Sequence, residues 1–130
     1  MMKFPTRLLS LALLLFSALS VCAASRRTAP IRVACIGNSI TYGYLLKDRE
    51  REAYPAVLQQ LLGSGYQVGN FGKSGATLLA RGHRPYIQQE EYQRALEYRA
   101  DIAVIHLGVN DTDPRNWPNY RDEFVPDYHR

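Results

Sequence analysis

The sequence predicts an α/β domain built on a parallel sheet, and three observations carry that expectation. Three short apolar runs, Ile31–Ile36, Tyr66–Asn70 and Ile102–Leu107, have the length and composition of buried strands. Segments of helical character separate them, and strands alternating with helices build right-handed βαβ units. Each run ends in a loop of glycines and small polar residues: Gly37-Asn38-Ser39-Ile40-Thr41, Asn70-Phe71-Gly72-Lys73-Ser74-Gly75 and Gly108-Val109-Asn110-Asp111.

The N-terminus is set apart from that domain. Lys3 and Arg7 supply positive charge to an apolar run from Leu8 to Leu19, and Val21-Cys22-Ala23-Ala24 offers small residues for cleavage. This is the layout of a secretory signal, expected over residues 1–24. The run is shorter than the about 20 apolar residues of a bilayer crossing, so no stable membrane span is expected. The expected localisation is export, periplasmic or secreted, from a bacterial cell. Leu19-Ser20-Val21-Cys22 also resembles a lipoprotein box with Cys22 as a lipid anchor. Val21 is a poor fit to that box, and simple cleavage is the preferred reading. Residues 25–30 read as a linker, and the domain occupies residues 31–130.

Within the domain, Ile31–Ile36 is the first strand and Asn38 to Gly43 a loop. Pro55 suits the first turn of a helix, whose face carries Tyr54, Val57, Leu58, Leu61 and Leu62. Gly63 and Gly65 end it. Tyr66–Asn70, the second strand, runs into the glycine-rich loop, and Gly82-His83-Arg84-Pro85 is more loop. Ile87 to Arg99 is helical in composition with a modest apolar face. After the third strand, Asn116 to Asn119 reads as a turn, and a last helix begins near Tyr120 with Pro126 against it. Three strands are few for such a sheet, so the expectation is an incomplete domain, its first three βα units.

Charge and cysteine content exclude several classes. The formal charge is +4; without Lys3 and Arg7 it is about +2 and scattered, which does not suit nucleic acid. Cleavage near Ala24 leaves Cys35 alone, so no internal disulfide is expected. Neither cysteines nor histidines show metal-ligand spacing. Gly72-Lys73-Ser74 is not a phosphate loop, because Gln67 stands where that motif needs glycine. Gly37-Asn38-Ser39 lacks the later glycines of a dinucleotide fingerprint.

The three loops carry the chemistry. Binding sites in open parallel sheets form beyond the carboxyl ends of the strands, and neighbouring strands lie about 5 Å apart. Together the loops would hold what acyl transfer needs. Ser39 offers a hydroxyl nucleophile. The backbone N–H groups of Ser39 and Gly75 and the side-chain amide of Asn110 offer donors to a tetrahedral oxyanion. Gly75 would let the backbone approach closely, having no Cβ. Plainer readings stand beside these: Ser39 and Gly75 as turn residues, Asn110 as a helix cap. Asp111 reads as a loop-stabilising acceptor, and His83 and His106 as structural or substrate-adjacent.

Gly37-Asn38-Ser39-Ile40-Thr41 resembles the Gly-Asp-Ser-Leu block of SGNH (GDSL-like) hydrolases. The Ser74-Gly75 loop and Gly108-Val109-Asn110-Asp111 resemble that family's second and third blocks, in order. The resemblance implies a flavodoxin-like three-layer α/β/α fold without cofactor or metal. It implies Ser39 as nucleophile, Gly75 and Asn110 as oxyanion donors, and Gly37, Asn38 and Asp111 as supporting loop. Asn38 replaces the usual Asp, a change of charge but hardly of shape. Arg81 to Tyr86 and Asp113 to Tyr120 resemble secreted bacterial carbohydrate or sialate O-acetylesterases. The implied activity is therefore hydrolysis of short acyl esters, with a small-molecule or carbohydrate ester as partner. A lipase or thioesterase and a non-catalytic remnant are the alternatives. The family's Asp-x-x-His block has no counterpart in these residues, so the expectation is an N-terminal portion with little activity alone.

Overall fold

The structure, a computed structural model, describes residues 29–130. The expected signal segment, Cys22 and most of the linker lie outside the described residues. Three parallel strands form one sheet: β1 (Ile31–Gly37), β2 (Tyr66–Gly72) and β3 (Ile102–His106). Their order is β2-β1-β3. The chain thus steps to one side of β1 and then crosses back to the other. That reversal makes a topological switch point between β1 and β3, where open α/β sheets bind ligands. Gly37 pairs with Gly72 on one side and His106 on the other, so all three strands end at one level.

Alternation along β1 sends Val33 and Cys35 to one face and Ala34 and Ile36 to the other. Helices lie on both faces of the sheet at β1 and β2, which makes the α/β arrangement expected from the sequence. On the Ala34 side lies α4 (Glu90–Glu97), whose Ala95 is buried with Ala34 and Phe71. Ile36, Tyr98 and Ala100 pack around them. The Phe71 and Tyr98 rings meet at 5.1 Å. On the opposite side lies α3 (Tyr54–Leu62), with Pro55 in its first turn and Gly63 at its end with a positive φ of 70°.

The apolar face expected of α3 is only partly used. Leu58 and Leu62 are half-buried, whereas Leu61 is 80% exposed. A polar residue does the docking instead. The Gln59 side chain accepts from the Val68 N–H (2.7 Å) and donates to the Tyr66 carbonyl (3.1 Å). Both groups belong to the open edge of β2, which Gln59 covers as a neighbouring strand would.

Other elements depart from the sequence reading in ways that have local causes. The helix expected over Ile87–Arg99 is divided: Tyr86–Gln88 forms a 3-10 turn, and extended Gln89 breaks the path before α4. Where a loop is expected after β1, two one-turn helices appear, α1 (Ser39–Tyr42) and α2 (Arg49–Glu52). Asn116 leads into a short helix, α5 (Trp117–Tyr120), rather than a plain turn, without a side-chain cap bond to it. Pro126 is the third residue of α6 (Phe124–Tyr128), where no intrahelical acceptor awaits an N–H. β3 is exposed along its whole length among the described residues. No helix among those residues is long and apolar enough to cross a membrane.

Candidate active site

Ser39 is the first residue of α1, directly beyond the end of β1, and is half-buried. Asn38 is buried and caps this turn, its Oδ1 accepting from the Ile40 N–H at 3.0 Å. A carboxylate could make the same cap, whereas the Nδ2 of Asn38 is buried without a hydrogen-bond partner among the described residues. Gly43 closes the turn in a left-handed conformation (φ 85°). The turn lies flat on the strand ends because glycines let it. A Cβ on Gly37 would collide with the Thr41 side chain, and one on Gly72 with the backbone nitrogen of Tyr42. Asn70 then fastens it: Nδ2 donates to the Thr41 carbonyl (2.8 Å), and Oδ1 accepts from the Gly72 N–H (2.9 Å).

The second loop leaves β2 beside Ser39. Its first N–H, from Lys73, donates to the Gly37 carbonyl at 2.8 Å. Gly75 has φ 78°, and this, rather than close approach, is what requires glycine. A Cβ there would find Arg84 no nearer than 3.4 Å, an ordinary contact. None of the described loop, turn or side-chain hydrogen bonds uses the N–H of Ser39 or of Gly75. Both remain available as donors.

The third loop reaches the second through side chains. Val109–Thr112 forms a 3-10 turn after Gly108. Asn110 Nδ2 donates to the Ala76 carbonyl at 2.8 Å, which sets its carboxamide one residue from the Gly75 N–H. Asp111 is fully buried and accepts from the N–H groups of Leu78 (2.9 Å) and Leu79 (2.7 Å).

These bonds answer a structural need. Ala76, Thr77 and Leu79 are fully buried although they lie in a loop, and buried backbone must find partners. The segment closes on itself through Thr77 N–H to Arg84 O (2.8 Å) and Tyr86 N–H to Thr77 O (2.9 Å). Residues 110–127 supply the rest. Besides Asn110 and Asp111, Asp127 accepts from the Ala80 N–H (2.8 Å), and Asn116 accepts from the His83 N–H (2.9 Å).

The structure thus places Ser39, Gly75 and Asn110, with Gly37, Asn38 and Asp111, in the loops at the same end of the sheet. No hydrogen bond joins Ser39 directly to Asn110. Nor does any described bond join Ser39 to a histidine. His106 ends β3 and is exposed, and His129 is exposed near the C-terminus. His83 is engaged by Asn116 through its ring Nδ1 (2.8 Å). Asn116, buried and fully bonded, is the residue that sequence reasoning misses. Its partners are distant in sequence, and asparagine before a tryptophan reads as an ordinary turn residue.

Other titratable groups are tuned away from reactivity. Burial raises the Cys35 thiol, which is fully buried and free. A buried neutral thiol is inert packing. Asp113 is held well below the usual carboxylate range by hydrogen bonds from the Arg115 side chain and backbone. The pair is too exposed for that to count for much stability. A cleft of about 480 Å³ opens between α3 and the edge of β2, lined by Tyr42, Gln59, Asn70 and Glu91 among others. It adjoins α1 but does not include Ser39. No group of three metal-ligating side chains occurs among the described residues.

Comparison with known proteins bears on the family and the fold. The chain is 50% identical over 97 residues to an acetylxylan esterase of Xylanibacter ruminicola, covering 75% of this chain and 20% of that protein. Its fold resembles the crystal structure of AlinE4, an SGNH-hydrolase family esterase (TM-score 0.57, 25% identity, 77% of this chain and 51% of that one). A single-substitution variant of AlinE4 matches equally well (TM-score 0.56, 25% identity, 77% and 51% coverage). The chain therefore spans about a fifth of the curated relative and half of the solved esterase. The family model for GDSL-like lipases and acylhydrolases matches residues 35–127, a span that begins in β1 and contains all three loops. By that match, the chain belongs to the GDSL-like lipase/acylhydrolase family.

Proposed function

We propose that the protein is a serine esterase that removes O-acetyl or similarly short acyl groups, with carbohydrate esters as its substrate class. Ser39 attacks the ester carbonyl, and the bond to the alcohol breaks to leave an acyl-enzyme that water then hydrolyses. The negative oxygen of each tetrahedral intermediate is met by the N–H groups of Ser39 and Gly75 and by the Asn110 carboxamide. The observation that carries this reading is the bond from Asn110 Nδ2 to the Ala76 carbonyl. It joins the loop after β3 to the loop after β2 at the residue following Gly75. The likeness to an acetylxylan esterase favours a short acyl group on a sugar over a long-chain lipid.

Activation of Ser39 requires a base. No histidine of this chain is assigned that role, because none is bonded to Ser39. Residues 1–130 alone are accordingly expected to turn over acetyl esters poorly or not at all. The test uses the full-length protein with acetylated xylan, short aryl esters and long-chain acyl esters. Ser39→Ala should lower kcat at least about a thousandfold while the melting temperature stays near that of the wild type. Undiminished turnover in that variant would overturn the assignment. Preference for long-chain esters would overturn the substrate class.

A further inference from the structure

We propose that His83 is a substrate-contacting residue of this site, a neutral imidazole whose Nε2–H binds an uncharged oxygen of the carbohydrate bearing the ester. The inference rests on the hydrolase reading above and names a contact that reading does not contain.

The hydrogen bonds around Asn116 determine the state of the imidazole. Asn116 is 1% exposed. Its Oδ1 accepts from the His83 backbone N–H, a group that can only donate, and this fixes which way the carboxamide points. Nδ2 therefore faces the other two partners, the Asn110 carbonyl at 2.9 Å and the His83 Nδ1 at 2.8 Å. Nδ2 has two protons. One is taken by a carbonyl, which accepts, so the other must meet His83 Nδ1 as an acceptor. An imidazole with Nδ1 accepting carries its proton on Nε2. Protonation of both nitrogens would set an N–H against an N–H.

The same nitrogen that holds the ring also holds the backbone of Asn110, so the imidazole is one shared atom away from a proposed oxyanion donor. His83 is exposed, and Nε2 has no partner among the described hydrogen bonds. The cations on either side are already engaged. Arg81 pairs with Glu123 at 2.9 Å and lies over the Tyr120 ring at 4.5 Å. Arg84 donates to the Ser74 carbonyl at 2.9 Å. What this segment presents outward is thus a ring N–H held in place by Asn116, with the neighbouring arginines already engaged. That suits a hydroxyl or ring oxygen of a neutral sugar better than a carboxylate or phosphate. Trp117, next to Asn116 and 40% exposed, adds apolar surface of the kind that sugars stack on.

The test compares two substrates in the full-length protein, an acetylated xylo-oligosaccharide and p-nitrophenyl acetate, whose leaving group has no sugar hydroxyls. His83→Ala is expected to raise KM for the sugar ester about tenfold, the effect of losing one hydrogen bond to substrate. With p-nitrophenyl acetate, kcat/KM should stay within about twofold. His83→Gln, which retains a terminal N–H, is the second variant should the alanine protein fold poorly, and is expected to fall between the two. Nitrogen-15 NMR of the wild type near pH 8 should show the Nε2–H tautomer. Equal loss on both substrates, no loss on either, or a dominant Nδ1–H tautomer would overturn the inference while leaving the esterase reading intact. Absence of wild-type turnover on both esters would overturn the two together.

Discussion

The Asn110 carboxamide carries two protons, and the Ala76 carbonyl engages one of them. The other is free to meet an oxyanion, while the engaged one prevents the side chain from rotating away. Preorganisation of this kind is what makes an oxyanion donor effective. Asn110→Ala is expected to lower kcat by about a hundred- to a thousandfold, checked by steady-state kinetics on an acetyl ester. Its neighbour Asp111 has a different task. Its carboxylate accepts two backbone N–H groups in a fully buried setting. Asp111→Asn would turn an amide donor toward one of those donors. The expected cost is about 2–4 kcal/mol of folding stability, read by urea denaturation, with the loop after β2 loosened as a consequence. Under the proposed function, adjacent residues in one motif would divide the labour: Asn110 as oxyanion donor, and Asp111 as the acceptor that holds the Leu78 and Leu79 backbone.

At the level of elements, the site depends on α1 lying against the ends of β1 and β2. Two glycines, one ending β2 and one in the loop after it, separate close packing from backbone conformation. Gly72 has no room for a Cβ, because the Tyr42 backbone occupies that space. Gly75 has room but a positive φ. Gly72→Ala should therefore lower the melting temperature more than Gly75→Ala, whose cost is the about 1–2 kcal/mol of a left-handed non-glycine residue. Gly72→Ala should also lower kcat, since it displaces the turn that begins with Ser39. A larger thermal effect for Gly75→Ala would contradict this account. The βα units themselves were legible in sequence because their apolar runs and Pro and Gly punctuation are local. The one-turn helices α1, α2 and α5 were not. A single turn has too few positions to show a period, and its stability comes from what it rests on.

For the molecule as a whole, one buried apolar cluster forms where β1, β2 and α4 meet, and the Tyr86 hydroxyl reaches its Phe71. It is buried and donates to the Phe71 carbonyl at 2.6 Å. Burial, and then the negative charge of Glu91, push its ionisation well above the ordinary tyrosine value, with Arg94 opposing. The unfolded chain releases this proton near pH 10, whereas the folded protein keeps it to higher pH. The folded state therefore binds more protons in that window, and stability falls as pH rises above about 10. Below that pH the contribution is constant. Tyr86→Phe should flatten the alkaline decline in a series of urea melts, at the cost of a weaker protein at neutral pH because the Phe71 carbonyl loses its donor. β3, by contrast, is exposed along its length, and the chain spans half of the solved esterase it resembles.

Strand order and the joining of loops came from three-dimensional packing, whereas strand identity and the three glycine-bearing loops could be read in one dimension. Apolar runs ending at Gly37, Asn70 and Leu107 announce strands because short continuous apolar stretches are typical of parallel sheets, although only β1 is largely buried here and β3 is exposed. Ser39, Gly75 and Asn110 stand out because each follows such a run. Nothing local says that Asp111 will satisfy Leu78 and Leu79, or that Asn116 will hold His83 and Asn110 together. Those pairings span up to 33 residues, and only a buried loop in need of hydrogen-bond partners selects them.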